Sequence, residues 1–152
     1  MVKKIIVGIG VIFVLMQFIR IDKTVPDYNQ SDDIIVAANP SKEVATVLKT
    51  ACYDCHSFES KYPWYSNIAP VSFFLKKHIN EGREELNFSI WSTYSLKRKV
   101  HKLEEMKEMV SEGEMPLDSY LIMHSEAKLS DASKEKLLDW VDKMHKSEKL
   151  KE

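Results

Sequence analysis

The chain has 152 residues, 44% hydrophobic and 30% charged, a size and balance that fit one folded domain with room for an appendage. Only four glycines and five prolines exclude a disordered polymer. The formal net charge is −1; three of the 22 basic residues lie in residues 1–20, which hold no acid, so the other 19 face 23 acidic residues. With no basic cluster beyond Lys97-Arg98-Lys99, that balance argues against nucleic-acid binding.

Taken in order, Met1–Lys4 is short and basic and Ile5–Ile19 is almost wholly apolar, broken only by Gly8, Gly10 and Gln17. The run has the length of a signal-peptide core and is short for a spanning helix, but no small-x-small cleavage signal follows it. Ile21 extends the apolar face if Arg20 snorkels. We read residues 1–21 as an uncleaved membrane anchor or signal that engages the cytoplasmic membrane through residues 5–21. Lys3 and Lys4 precede the run, and Asp22, Asp27, Asp32 and Asp33 follow it. The positive-inside rule therefore keeps the N-terminus in the cytoplasm and puts the remainder outside, in a bacterial periplasm. Residues 22–38, with Pro26, Asn29, Gln30 and Ser31, read as a polar tether in which Ile34-Ile35-Val36 is a short docking piece.

A folded domain spans 39–146. Asn39-Pro40 is a helix start, with Asn as cap and Pro in the first turn. Val44, Val47, Leu48, Ala51 and Cys52 then trace one apolar helical face. The face ends at Cys52-Tyr53-Asp54-Cys55-His56, which holds the only two cysteines. This is the attachment pattern for c-type haem. Two intervening residues let one tight turn present both thiols to one porphyrin edge, and the next residue reaches under the ring as proximal iron ligand. The competing readings are a disulfide, a thioredoxin-like pair, half a zinc site, or coincidence. A zinc site needs a second close pair of ligands, and His78, His101, His124 and His145 supply none. A thioredoxin-like motif belongs in a βαβ setting, and no strand-rich region is evident.

Ser57–Pro70 is a loop dense in aromatics: Phe58, Tyr62, Trp64 and Tyr65. Such rings either face the flat cofactor or fill core. A carbonyl in this loop, at Pro70, is the expected partner for the second nitrogen of His56. Val71, Phe74, Leu75, His78 and Ile79 mark another helix that Gly82 closes. His78 lies on its apolar face, where a lone histidine is more often core than ligand; it is the runner-up for the distal iron position. Phe88, Ile90 and Trp91 are buried candidates in the next loop, with Asn87 and Ser89 as turn formers. Leu96, Val100, Leu103, Met106 and Val110 mark a longer helix with a solvated charged face, ended by Gly113. Met115, between Gly113 and Pro116, sits in a loop from which a thioether can reach an iron. It is the expected distal ligand, and His/Met ligation raises a haem potential. His124 reads as a surface residue. Ser130 caps a last helix with Leu137, Leu138, Trp140, Val141 and Met144, which packs on Val44 and Leu48. Residues 147–152 are a charged tail.

Asp54-Cys55-His56-Ser57, Pro63-Trp64-Tyr65-Ser66, His78, Gly82-Arg83, Leu86-Asn87-Phe88-Ser89 and Trp91 resemble the haem-binding domain family of bacterial envelope proteins. Gly113-Glu114-Met115-Pro116, Tyr120, His124, Leu129-Ser130 and Trp140 continue the resemblance, more loosely. It spans residues 40–145 and implies an all-α, cytochrome c-like domain around one covalent haem c, held by Cys52, Cys55 and His56. The long third helix and the Trp64/Tyr65 loop depart from ordinary small cytochromes c. The function expected is electron transfer to a transient redox partner protein, not enzymatic catalysis. The alternative is a sensor of diatomic gas or redox state with a labile distal ligand. A peroxidase is a minor third, since His78 lacks an arginine partner.

Overall fold

The computed structural model describes residues 1–151, and its regular structure is entirely helical: no strand occurs among the described residues. Among the described residues eight α-helices, α1 (Val2–Met16), α2 (Ile34–Ala38), α3 (Lys42–Ala51), α4 (Tyr53–His56), α5 (Val71–Glu85), α6 (Leu96–Glu112), α7 (Asp118–Leu121) and α8 (Asp131–Lys149), are joined by connections that hold four short 3₁₀ segments.

The core is where the helical faces converge. Val44 and Leu48 of α3, Leu103, Met106 and Val110 of α6, and Leu137 and Val141 of α8 bury together with Tyr53, Phe88 and Trp91. As the periodicity predicts, α8 packs on α3, with Trp140 at the edge of the cluster; its longer contact is with α6. Lys107–Asp142 (2.7 Å) and His145–Glu104 (2.9 Å) cross between α6 and α8 at the surface. Half-exposed pairs of this kind add little stability, and apolar burial holds the two helices together.

Local rules set most boundaries. Ser95 and Ser130 cap α6 and α8 by accepting from the Arg98 and Ser133 N–H groups. Gly113 closes α6 at φ +80°, a left-handed conformation that costs a Cβ-bearing residue about 1–2 kcal/mol. Asn39, expected to start α3, instead ends α2 in a left-handed conformation, and Ser41 caps α3 through the Val44 N–H. The preference of Asn for turns served a C-cap rather than an N-cap. α8 runs past residue 146 to Lys149, while Glu152 of the expected tail lies outside the described residues.

The later part of the expected tether, 22–38, belongs to the fold. Ile34 is fully buried in the core, and Asp33 caps α2 through the Ile35 N–H while accepting from the Tyr53 hydroxyl at 2.7 Å. Ile34 docks as its apolar run leads one to expect; the polar composition concealed the buried hydrogen bond of Asp33.

The N-terminal expectation needs correcting in length. No helix among the described residues is long and apolar enough to cross a membrane. α1 has 15 residues, so it extends about 22 Å against roughly 30 Å of bilayer core. It buries none of its residues, and three i→i−3 bonds carry the winding on to Ile19.

Candidate functional site

α3 delivers Cys52 at its C-terminus, and α4 is one turn built on it: the Cys55 and His56 N–H groups donate to the Cys52 carbonyl at 3.2 and 2.9 Å. Cys52 and Cys55 are free thiols and, with His56, line a cavity of about 690 Å³. Cofactor sites span roughly 300–1,000 Å³. Leu86, Phe88, Met106, Met109, Val110 and Leu129 supply much of its apolar lining.

The motif is braced by α5. Gly82 lies so close that a Cβ there would meet the Cys55 carbonyl oxygen at 2.9 Å. Gly82 was expected to end α5, but the helix continues to Glu85; the glycine marks a close approach of two backbones. That approach brings the Gly82 and Leu86 carbonyls to 2.9 and 3.0 Å from His56 Nδ1, so Nδ1 carries the proton and donates. These carbonyls, and not Pro70, orient the ring. No protein group among the described residues bonds Nε2, which is left free as a ligand atom. Arg83 adds two bonds, Nε to the Ser57 carbonyl (2.8 Å) and a terminal nitrogen to Ser60 Oγ (2.9 Å).

Burial sets the protonation of these groups. It pushes the Cys52 thiol up to about 12, with Cys55 adding to the effect. It pushes Cys55 up to about 11, with Asp54 adding and Arg83 opposing. Both are therefore neutral thiols at pH 7, the opposite of the lowered values that activate a redox-catalytic cysteine. Burial also lowers the pKa of His56, against the two carbonyl hydrogen bonds, and keeps the imidazole in the neutral form that binds metal.

His78 and Met115 both line the same cavity, so the structure gathers all five sequence candidates around one space. Met115 follows the left-handed Gly113, and its N–H donates to the Met109 carbonyl at 3.2 Å. Glu81, Glu85, Glu105, Glu108, Glu112 and Glu114 also border the cavity. Lys102 is its one lysine and bonds Glu105 (2.6 Å) and Glu85 (3.2 Å). Burial opposes the Lys102 charge, but the two carboxylates outweigh it and leave the pKa raised.

Of the two readings of the aromatic loop the cofactor-facing one drops out, and the surface reading of His124 fails. Phe58, Tyr62, Trp64 and Tyr65 do not line the cavity: Phe58 packs on Tyr28 and under Arg83, and Trp64 is exposed. His124 is not a free surface residue. Its ring stacks on Tyr120 at 4.2 Å, and Nε2 meets the Tyr65 hydroxyl at 2.7 Å. The residues missed by the sequence reading are Asp54 and Tyr120. The Tyr120 hydroxyl donates to Asp54 Oδ2 at 2.8 Å, joining α7 to the middle of the cysteine motif. No periodicity announces a contact across 66 positions.

Haem fits the residues present. Two thiols, an oriented neutral imidazole with a free nitrogen, and a thioether share one apolar cavity of cofactor size. Comparison with curated proteins and with solved structures returns no match. The model of one family, described as haem-binding domain, matches residues 11–143, most of the chain and the whole of the cavity described above; the protein belongs to the haem-binding domain family.

Proposed function

We propose that the chain is a monohaem c-type electron carrier, held at the outer face of a bacterial cytoplasmic membrane. The observation that carries the reading is the shared cavity of Cys52, Cys55 and His56, with His56 Nδ1 committed to two backbone carbonyls. Cys52 and Cys55 are the attachment thiols, His56 Nε2 the proximal ligand, and Met115 the distal ligand, with His78 as runner-up. Haem bound there supplies one reversible one-electron couple. The chain's own part is to orient His56, exclude water with the apolar lining, and present an outer surface to a partner. The six glutamates at the cavity border suit a transient partner with a basic docking face. The exposed apolar side chains of α1, continued by Phe18 and Ile19, support membrane attachment.

The test is the absorption spectrum of the haem-loaded protein, ferric and reduced, with and without carbon monoxide. A weak far-red ferric band and no response to carbon monoxide fit His56/Met115 ligation and electron transfer. A missing band without response moves the distal role to His78. A prompt carbon monoxide shift favours the second reading, a gas or redox sensor, which draws on the few contacts that hold the Met115 loop. A denaturing gel stained for haem checks the covalent bond, and Cys52→Ala with Cys55→Ala should abolish the stained band.

A further inference from the structure

The segment that leaves α1 has no slack. The Gln17 side-chain amide pairs with both backbone groups of Ala69: its Nε2 donates to the carbonyl and its Oε1 accepts from the N–H, both at 3.0 Å. Arg20 donates to the Asn67 carbonyl at 2.6 Å. Lys23 donates to Ser66 Oγ (2.8 Å) and Asn67 Oδ1 (2.9 Å), with its ammonium over the Tyr62 ring. Three successive anchors thus fix the end of α1 to residues 66–69. Wherever that end sits, the 64–74 face sits within a few residues' reach.

That face is apolar and uncovered. Trp64 is 68% exposed, Ile68 37%, Val71 47% and Phe74 63%. Val71 and Phe74 share one side of the first turn of α5, and the 3₁₀ turn Trp64–Asn67 packs directly against that helix. Phe18 and Ile19, 80% and 60% exposed, continue the apolar surface of α1 between the Gln17 and Arg20 anchors to residues 67 and 69. Arg20 and Lys23 bond to residues 66 and 67 at the edge of the 64–74 face, and Lys76 and Lys77 follow Phe74 along α5, where Lys77 pairs with Glu81. An indole beside aliphatic side chains, edged by lysine and arginine, is the composition of a membrane–water boundary.

We infer that the Trp64–Ile68–Val71–Phe74 face lies on the lipid surface and fixes the haem domain in one orientation against the bilayer. The inference rests on the membrane attachment proposed above and adds a second contact to it. Its consequence is that the domain does not swing on a tether: the cavity border faces one direction, and partners approach from that side.

The experiment uses the full haem-loaded protein labelled with 5-fluorotryptophan, in nanodiscs of phosphatidylcholine and phosphatidylglycerol. The resonance of Trp64 is assigned by Trp64→Phe. A nitroxide lipid labelled near the headgroup should broaden Trp64 several-fold more than the buried Trp91, and a water-soluble nickel chelate should leave Trp64 sharp. If the protein enters the discs but Trp64 stays sharp with the nitroxide and broadens with nickel, this inference is overturned and the attachment stands. If the protein does not associate with the discs, the attachment reading fails and takes the inference with it. Protection of Trp64 from both reagents, with two chains per disc, would make a second copy the occupant and overturn the proposal.

Discussion

Two segments on the cavity are held in contrasting ways. The cysteine motif is over-determined: α3 ends in it, α5 touches its backbone at Gly82, two carbonyls grip His56, and Tyr53 beneath it is anchored to Asp33. The Met115 loop is held by its Gly113 turn, by the Glu114 and Met115 N–H groups donating to the Met109 carbonyl, and by Tyr120 reaching back to Asp54. A proximal ligand must not move, because its orientation sets the electronics of a bound iron. In the proposed reading the Met115 loop carries the distal ligand, and how far it yields would separate a carrier from a sensor.

The comparison is broken most forcefully at Gly82. Gly82→Val puts a branched side chain against backbone that has no room to move. The expected loss is at or above the upper end of the ~1–3 kcal/mol overpacking range. It should appear as a lower urea midpoint together with weaker haem retention; a midpoint equal to the parent's would mean that α5 does not brace the motif.

Next is Tyr53→Phe, which leaves the Asp33 carboxylate buried without its hydroxyl donor. A hydrogen bond to a charged group is worth about 1.5–3 kcal/mol, and we expect about 2. The same pair predicts an alkaline effect. Burial, then the Asp33 hydrogen bond, raises the Tyr53 pKa above its usual value. The folded state therefore holds this proton more tightly than the unfolded chain. Its contribution is complete below the unfolded value of about 10 and falls as pH rises beyond it. Unfolding free energies at about pH 9 and pH 11 should show the decline in the parent and a shallower one in Tyr53→Phe.

Gly113→Ala acts on the weaker segment and should cost about 1–2 kcal/mol, since φ +80° is unfavourable for alanine. Its sharper readout is faster carbon monoxide binding, because a strained turn displaces Met115. The smallest effect on stability belongs to Tyr120→Phe. The Tyr120–Asp54 bond is only partly buried, unlike Tyr53–Asp33, so water can replace it and the loss should fall below ~1 kcal/mol. Ligand exchange should nonetheless speed up if Tyr120 steadies the loop; unchanged carbon monoxide kinetics would remove Tyr120 from that role.

Much of the molecule was legible in the chain because it rests on short-range rules. The helical faces of 44–52, 96–110 and 137–144, the cap at Ser130, the stop at Gly113 and the cysteine motif are each encoded within a few neighbouring residues. Met115 was legible as a methionine stranded between a glycine and a proline. Tertiary structure alone decided the rest. It placed His56 against the Gly82 and Leu86 carbonyls, 26 and 30 positions away, and kept α5 helical through a glycine that reads locally as a stop. It buried Asp33 against Tyr53 beside the expected Ile34 docking piece, sent the Trp64 loop outward, and paired Tyr120 with Asp54. Periodicity reports which side of an element is apolar. It carries no information about which backbone atoms meet when separate elements pack, and those meetings orient the histidine and build the face that we assign to lipid.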